Sequence, residues 1–194
     1  MNFFDLIKEN EKKLFEIAHY KKGQILFRED DLCEKVGFLK KGQISIVSYS
    51  LSGVEIVYNE IEEDGLFGNN LLFSSDRGYR GNVIAKTSSE VWFLNRKNLL
   101  ILLEENSDFL EHYLSFQANF SKTLNFKIKL LSLSSAEERL MYFLKTKGSY
   151  TYKTISSLAE SLYLSREALS RLISKLVKQN KILKNGKTIS LPKC

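Results

Sequence analysis

The stretch from Thr154 to Gln179, TISSLAESLYLSREALSRLISKLVKQ, has the pattern of two helices joined by a tight turn. In each half, apolar residues recur at steps of three and four, which places them on one face of a helix. These residues are Ile155, Leu158, Ala159 and Leu162 in the first half, and Leu169, Leu172, Ile173 and Leu176 in the second. Thr154 and Ser165 precede the two halves as expected N-caps. The stretch therefore predicts an αα-hairpin.

The outer face of the second predicted helix is polar and mainly basic. It carries Arg166, Glu167, Ser170, Arg171, Lys175 and Lys178. A helix that follows a short turn and has polar side chains in its first two turns suits the DNA major groove. The alternative interpretation is an ordinary αα-hairpin whose basic face is only solvated.

The residues that follow favour the first interpretation. Two short apolar-alternating runs between Ile182 and Leu191 flank Asn185-Gly186, a dipeptide typical of a type I′ hairpin turn. A helix-turn-helix followed by a hairpin is a winged helix. Residues 139–194 contain 12 Lys+Arg and 2 Asp+Glu, a net charge of +10, whereas residues 1–138 carry −4. Positive charge concentrated in one segment is typical of a nucleic-acid-binding domain.

Side-chain chemistry divides the expected DNA contacts into two groups. Glu167 can accept a hydrogen bond from cytosine, Arg171 can donate two to guanine, and Ser170 can touch a thymine edge. Arg166 suits either a second guanine or a phosphate. The N-caps Thr154 and Ser165 and the turn residue Lys187 stand where backbone N–H groups and a lysine can face phosphates.

The N-terminal part has a different pattern of residues. The apolar residues between Phe3 and Ile17 predict a helix over 2–18. Eight of the ten glycines then lie between positions 23 and 81. Short β-type runs occur at 24–27, 36–39, 43–50, 55–60, 82–85 and 90–94. Many short strands separated by Gly, Asn or Asp predict an antiparallel barrel or jelly roll.

Helical segments connect the two parts. Helices are predicted over 95–105 and 108–132, and a capping box at Ser134–Glu138 predicts the start of another that ends near Lys147. The apolar stripe of 108–132 suits a coiled-coil seam interrupted by Gln117, although packing on the chain's own barrel is an equally good interpretation. The expected dimer contacts are Leu110, Tyr113, Phe120, Leu124, Ile128 and Leu131.

The predicted order is an N-terminal helix and barrel over 1–107, a long helix over 108–133, and a winged helix-turn-helix over 134–194. This α+β arrangement resembles the family of the cyclic AMP receptor protein and the fumarate and nitrate reduction regulator (Crp/Fnr). The matching motifs are LSREALSR at 164–171, and KKGQ at 21–24, GFLKKGQI at 37–44, EDGLFG at 63–68 and AKT at 85–87 followed by EV at 90–91. The resemblance implies a homodimeric transcription regulator that binds double-stranded DNA, contacts RNA polymerase and senses a small-molecule effector in its barrel.

One departure from the family concerns this effector. Members that bind cyclic AMP have a Gly-Glu pair, and eleven residues after that Gly an Arg that meets the cyclic phosphate. Here Asn69 follows Gly68, Tyr79 stands eleven residues on, and Arg80 comes one place late. A shift of one residue in a strand turns a side chain to the opposite face. The corresponding pocket, formed by Gly68, Asn69, Asn70, Tyr79, Arg80, Leu124 and Asn125, is therefore not expected to bind cyclic AMP.

Other cofactors and activities find little support. The clustered N-terminal thiolates of an iron–sulfur protein are missing, and His19, His112 and Cys33 are the candidate haem ligands. Two histidines outside the predicted strands cannot build the metal site of a jelly-roll enzyme, so no enzyme is expected. A barrel that senses haem, a gas or a small ligand and controls a partner protein is the alternative function. The effector itself stays unknown.

Composition sets further bounds. Apolar residues make up 43% and charged residues 27% of the chain, as in a globular protein. No apolar run approaches the ~20 residues that span a bilayer, and the N-terminus lacks the layout of a signal peptide. Cys33 and Cys194 are the only cysteines, too far apart for a disulfide framework. A cytoplasmic protein without membrane partners is expected.

Overall fold

The computed structural model describes residues 2–192, so Cys194 lies outside the described part. The chain divides into two compact units, Met1–Phe116 and Gln117–Cys194. The N-terminal unit contains mostly strands and the C-terminal unit mostly helices, and the predicted α+β class is confirmed. The boundary between the units falls inside one long helix.

The strands of the N-terminal unit form two four-stranded antiparallel sheets, in the orders β1-β8-β3-β6 and β2-β7-β4-β5. The strands are β1 Glu16–Tyr20, β2 Ile25–Phe27, β3 Lys35–Lys41, β4 Ile44–Tyr49, β5 Glu55–Ile61, β6 Leu66–Phe67, β7 Asn82–Ala85 and β8 Ser89–Asn95. All six strands predicted from the sequence are present. Because residues from both sheets share one core, the predicted jelly roll is confirmed, as two sheets rather than one closed barrel.

The predicted helix over 2–18 is wrong. A short helix α1 (Phe3–Leu6) and a 3₁₀ helix (Glu9–Leu14) are followed by β1, which pairs with β8 along its whole length. In β1, alternate side chains of Ala18 and Tyr20 pack against the core while Ile17 is exposed. The sheet satisfies the backbone N–H and C=O groups of 16–20, and this tertiary pairing overrides the local helical spacing.

The core of this unit is rich in aromatic rings. Phe3, Phe38, Phe67, Phe93 and Phe109 are all buried, and their rings form edge-to-face or tilted pairs. The Phe67 ring lies directly over Gly37 of β3. A Cβ atom added at position 37 would come 2.2 Å from the Cζ atom of this ring. Glycine is therefore the residue that this packing accepts at position 37.

Two helices follow β8, namely α2 (Arg96–Glu105) and α3 (Ser107–Ser132). Asn106 stands between them and is buried. Its amide donates to the Leu6 carbonyl at 3.0 Å and to the Glu11 carboxylate, and its side-chain oxygen accepts from the Phe109 N–H. These bonds join the start of α3 to the N-terminal segment.

The C-terminal unit has its own core, built around Leu130, Leu140, Leu158 and Leu169. Its further elements are α4 Ala136–Lys147, β9 Tyr150–Thr151, α5 Ile155–Ser161, α6 Arg166–Lys178, β10 Leu183–Asn185 and β11 Thr188–Ser190. The predicted capping box at the start of α4 is confirmed, with Ser135 as the N-cap. The strands form one sheet of order β10-β11-β9, so the hairpin follows the two helices as in a winged helix.

Candidate nucleic-acid interface and effector pocket

Both helices of the helix-turn-helix begin at the predicted caps. The Thr154 hydroxyl accepts from the Ser157 N–H at 3.0 Å, and the Ser165 hydroxyl accepts from the Ala168 N–H at 3.1 Å. Each cap satisfies a backbone donor that the first turn leaves without a partner. Ala159 is buried, as expected for a small residue where two helices cross closely.

The turn between α5 and α6 is held from outside. Tyr163 has a positive φ of 55°, which is uncommon for a residue with a side chain. Its carbonyl accepts a hydrogen bond from Arg139 Nη1 at 3.2 Å, while Arg139 Nε donates to the Leu133 carbonyl at 3.3 Å. One guanidinium thus joins the end of α3 to the turn, and this helps to fix the direction in which α6 starts.

The outer face of α6 is exposed along its length. Leu169, Ile173 and Leu176 point into the core. The predicted base-reading residues Arg166, Glu167, Ser170 and Arg171 all lie on the solvent side. Among the described residues, no ion pair or side-chain hydrogen bond ties up these four. The structure therefore brings them together on one accessible surface, free to meet an external ligand.

The same face continues beyond Arg171. Ser174, Lys175 and Lys178 line an open groove of about 450 Å³ together with Ser170 and Arg171. Both lysines are predicted on the outer face of α6, but the expected DNA contacts do not include them. Their steps of four and seven residues from Arg171 are the signal that could have included them.

The wing turn differs from the prediction by one residue. Asn185 pairs with Thr188, so Gly186 and Lys187 form the two-residue loop. Gly186 has a positive φ of 56° and Lys187 does not, which fits a type II′ turn with glycine first rather than a type I′ turn. The predicted contact Lys187 is exposed, and its Nζ donates to the Lys153 carbonyl at 2.9 Å.

Around the predicted effector pocket, aromatic packing occupies the interior. Tyr79 is 1% exposed and its ring stacks on Phe27, with centroids 4.8 Å apart. Its hydroxyl lies beside the Cys33 thiol and Gly68 and has no hydrogen-bond partner of good geometry. Burial raises the pKa of Tyr79 far above its ordinary value, and the Cys33 thiol adds to the shift. Tyr79 is therefore a neutral core residue.

The polar residues expected at the pocket do not converge there. Arg80 is exposed and pairs with the Asp76 carboxylate, whose pKa is lowered by the Gly78 N–H and by this guanidinium. Asn69 is buried beside Gly68, and Asn70 is exposed. Leu124 and Asn125 lie on the exposed surface of α3 within the C-terminal unit. Arg80 thus lies in the loop that precedes β7, with its guanidinium outside the core.

The expected dimer residues fall into two groups. Tyr113 is buried in the core of the N-terminal unit, and its assignment to an interface is corrected because the ring packs with the jelly roll. Leu110 and Phe120 are half-buried. Large apolar side chains are exposed elsewhere on α3: Leu114 57%, Leu124 42%, Ile128 63% and Leu131 53%. The last three, at steps of four and three, are called here the α3 seam.

The three candidate haem ligands have different environments. His19 is exposed on β1 rather than at the end of a helix, opposite Glu90 of β8. His112 packs edge-on against Phe3, with Nε2 3.9 Å from an Asp64 oxygen. Cys33 is fully buried, and burial is the main cause that raises its pKa. Within residues 2–192, no three His, Cys, Asp or Glu side chains form a metal-binding group.

Known proteins share this arrangement of a jelly roll, a long helix and a winged helix. Residues 17–106 match the model of the cyclic nucleotide-binding domain family. Over 184 residues the chain is 23% identical to the cAMP-activated global transcriptional regulator CRP of Salmonella typhimurium, covering 89% of this chain and 88% of the relative. The CRP of Klebsiella aerogenes matches with the same identity and coverage.

Two solved structures have the same fold. The catabolite activator protein of Thermus thermophilus matches with a TM-score of 0.58 at 20% identity, over 98% of this chain and 93% of that one. A CooA variant from Carboxydothermus hydrogenoformans matches with a TM-score of 0.66 at 17% identity, over 98% and 91%.

Fold and site together define a jelly-roll domain followed by a winged helix-turn-helix. The predicted resemblance to the Crp/Fnr family is confirmed, and the relatives named here are transcription regulators rather than enzymes. No helix within the described residues is long and apolar enough to cross a membrane.

Proposed function

We propose that the protein is a homodimeric transcription regulator that binds double-stranded DNA through α6. The observation that carries this proposal is the exposed outer face of α6, where Arg166, Glu167, Ser170 and Arg171 have no side-chain partner among residues 2–192. A capped, amphipathic helix of 13 residues that presents such a face suits the major groove. The charge of +10 on residues 139–194 adds attraction to the phosphates.

In this proposal, base edges are read by the first two turns of α6. Glu167 accepts from a cytosine amine, Arg171 donates to a guanine, and Ser170 touches a thymine edge. Arg166 reads a second guanine or holds a phosphate. Thr154, Ser165 and Lys187 contact the DNA backbone at the two helix starts and the wing turn.

Dimerisation occurs through the α3 seam. Exposed leucine and isoleucine side chains repeated along one helix are stabilised when a second copy covers them. A two-fold dimer presents two copies of α6, and these read an inverted repeat whose half-sites lie about 34 Å, or about 10 base pairs, apart. Leu114, ten residues before Leu124 on the same helix and likewise exposed, joins Leu110 and Phe120 as a flanking contact.

The effector is proposed to differ from cyclic AMP. Arg80 is tied to Asp76 on the outside of the jelly roll, and Tyr79 fills the interior where the family pattern has its arginine. Neither side chain is arranged to bind a cyclic phosphate. Control of transcription would involve RNA polymerase as a further partner.

A gel-shift titration against salt tests the proposal. Binding to a duplex should weaken steeply as salt increases, because each phosphate contact contributes about −0.9 to the slope of log K against log salt. Selection from random duplexes should then enrich an inverted repeat. Absence of any salt-dependent binding would contradict the proposal and favour the alternative, in which the jelly roll controls a partner protein.

A further inference from the structure

Three lysines follow Arg171 at the C-terminal end of the α6 face. Lys175 and Lys178 line the groove beside Arg171, and Lys181 comes three residues after the helix ends. A helix of this length measures about 20 Å, whereas the major groove is about 12 Å wide. The far end of α6 therefore leaves the groove close to a DNA backbone, where lysines ordinarily contact phosphates.

A carboxylate from another helix holds two of these lysines. Glu137, in the first turn of α4, lies 2.6 Å from Lys181 Nζ through Oε1 and 3.5 Å from Lys175 Nζ through Oε2. The hydrogen bond from Lys181, and then the charges of both lysines, lower the pKa of Glu137, so the carboxylate is ionised at neutral pH. Lys178 has no such partner among residues 2–192.

We propose that Glu137 withholds Lys175 and Lys181 from the DNA backbone and leaves Lys178 as the phosphate contact of this cluster. This inference rests on the proposed DNA-binding function. A lysine that is already paired with a carboxylate attracts fewer phosphates, and Glu137 itself repels them. Non-specific attraction to any duplex is thereby limited, and binding depends more on the base contacts of Arg171 and its neighbours. Glu137 is thus a specificity-determining residue that touches no base.

The test compares Glu137→Gln with Glu138→Gln, using the full chain and a 30-base-pair duplex of random sequence. Both changes remove one negative charge from adjacent positions. Glu138 contacts the hydroxyl and N–H groups of Ser134 and Ser135 rather than a lysine, and a glutamine can keep that capping box. Glu137→Gln should steepen the salt slope by up to about 1.8 units, which corresponds to about 12-fold in affinity between 200 and 50 mM salt. Equal slopes for the two variants would overturn the inference.

Lysine variants supply the second arm. In the wild-type background, Lys175→Ala and Lys181→Ala should leave the slope unchanged, whereas Lys178→Ala should reduce it by about 0.9. A reduction of the slope by about 0.9 in Lys175→Ala or in Lys181→Ala would also overturn the inference. The triple change of Glu137→Gln, Lys175→Ala and Lys181→Ala should restore the wild-type slope. If the wild-type protein shows no salt-dependent binding at all, the proposed function fails instead, so the two failures are distinguishable.

Discussion

Polar groups at the two predicted sites have opposite environments. In the N-terminal unit, Tyr79 is buried in an aromatic core and Arg80 is paired with Asp76. In the C-terminal unit, Arg166 and Arg171 extend from α6 into solvent without a partner in the described chain. A surface built on one helix depends on local sequence alone. A pocket between two sheets depends instead on which side chain each strand turns inward.

The largest expected effect comes from the α3 seam. Leu124→Glu places a charge among apolar side chains that a partner would cover, so the dimer should dissociate. Specific binding is about 1,000-fold or more tighter than non-specific binding, and that difference should be lost. Sedimentation and a DNA titration measure both effects. Thr123→Glu, at the neighbouring exposed position, adds the same charge outside the seam and should leave the dimer intact. A dimeric Leu124→Glu protein would place the interface elsewhere.

The next largest effect is a loss of stability when the buried ring of Tyr79 is removed from the core of the jelly roll. Tyr79→Ala removes a buried ring that stacks on Phe27, and it should destabilise the N-terminal unit by about 3–5 kcal/mol. Tyr79→Phe removes only a hydroxyl that has no partner, and the change should stay within about 1 kcal/mol. Urea unfolding followed by fluorescence of Trp92, the single tryptophan, reports on this unit. Similar stabilities of the alanine variant and the wild type would show that Tyr79 is not a core residue.

In contrast to Tyr79→Ala, Arg171→Ala should weaken DNA binding and leave stability nearly unchanged. Because its side chain is exposed, thermal unfolding should change little, whereas DNA binding should weaken by about 1–3 kcal/mol with relaxed specificity at one base pair. Titration of the selected operator and of single-base variants measures the loss. A uniform loss on every sequence would indicate a phosphate contact rather than a base contact.

A smaller effect is expected at the wing. Lys187→Ala should reduce the salt slope by about 0.9, so that lowering the salt from 200 to 50 mM should strengthen its binding about 3.5-fold less than that of the wild type. The effect should be the same on all duplexes, since phosphates carry no sequence information. Lys184→Ala, in the neighbouring strand, is the matched comparison. An unchanged slope for Lys187→Ala would remove the wing turn from the interface.

The smallest expected effect is that of cyclic AMP. Its addition should leave the melting temperature and DNA affinity unchanged, because Arg80 does not face the interior. A ligand at 100 times its dissociation constant would stabilise the fold by about 2.7 kcal/mol, which is readily measured. Stabilisation by cyclic AMP that disappears in Arg80→Ala would contradict the register argument.

Local signals predicted the C-terminal unit well. The caps Thr154 and Ser165 and the box between Ser135 and Glu138 each involve residues three positions apart, so the sequence contains both partners of each interaction. The wing turn was predicted one residue early, because the sequence shows that Gly186 favours a turn but not which residues pair on either side of it.

Longer-range packing was harder to predict. The segment 16–20 has helical spacing in the sequence, yet its conformation is decided by β8, more than 60 residues away. Tyr113 and Leu124 belong to one apolar stripe, and only the folded jelly roll shows that the first is covered while the second is exposed. The displaced position of Arg80 could be predicted from spacing, but the filling of the interior by Tyr79 and Phe27 could not.

The contact between Gly37 and the Phe67 ring has an evolutionary consequence. Since no side chain fits at position 37 while a phenyl ring occupies position 67, neither residue can change freely on its own. A larger residue at 37 becomes acceptable after the residue at 67 has become smaller, and the reverse order passes through a chain with a strained core. These two positions, which are paired across adjacent strands, should therefore vary together among relatives of this protein.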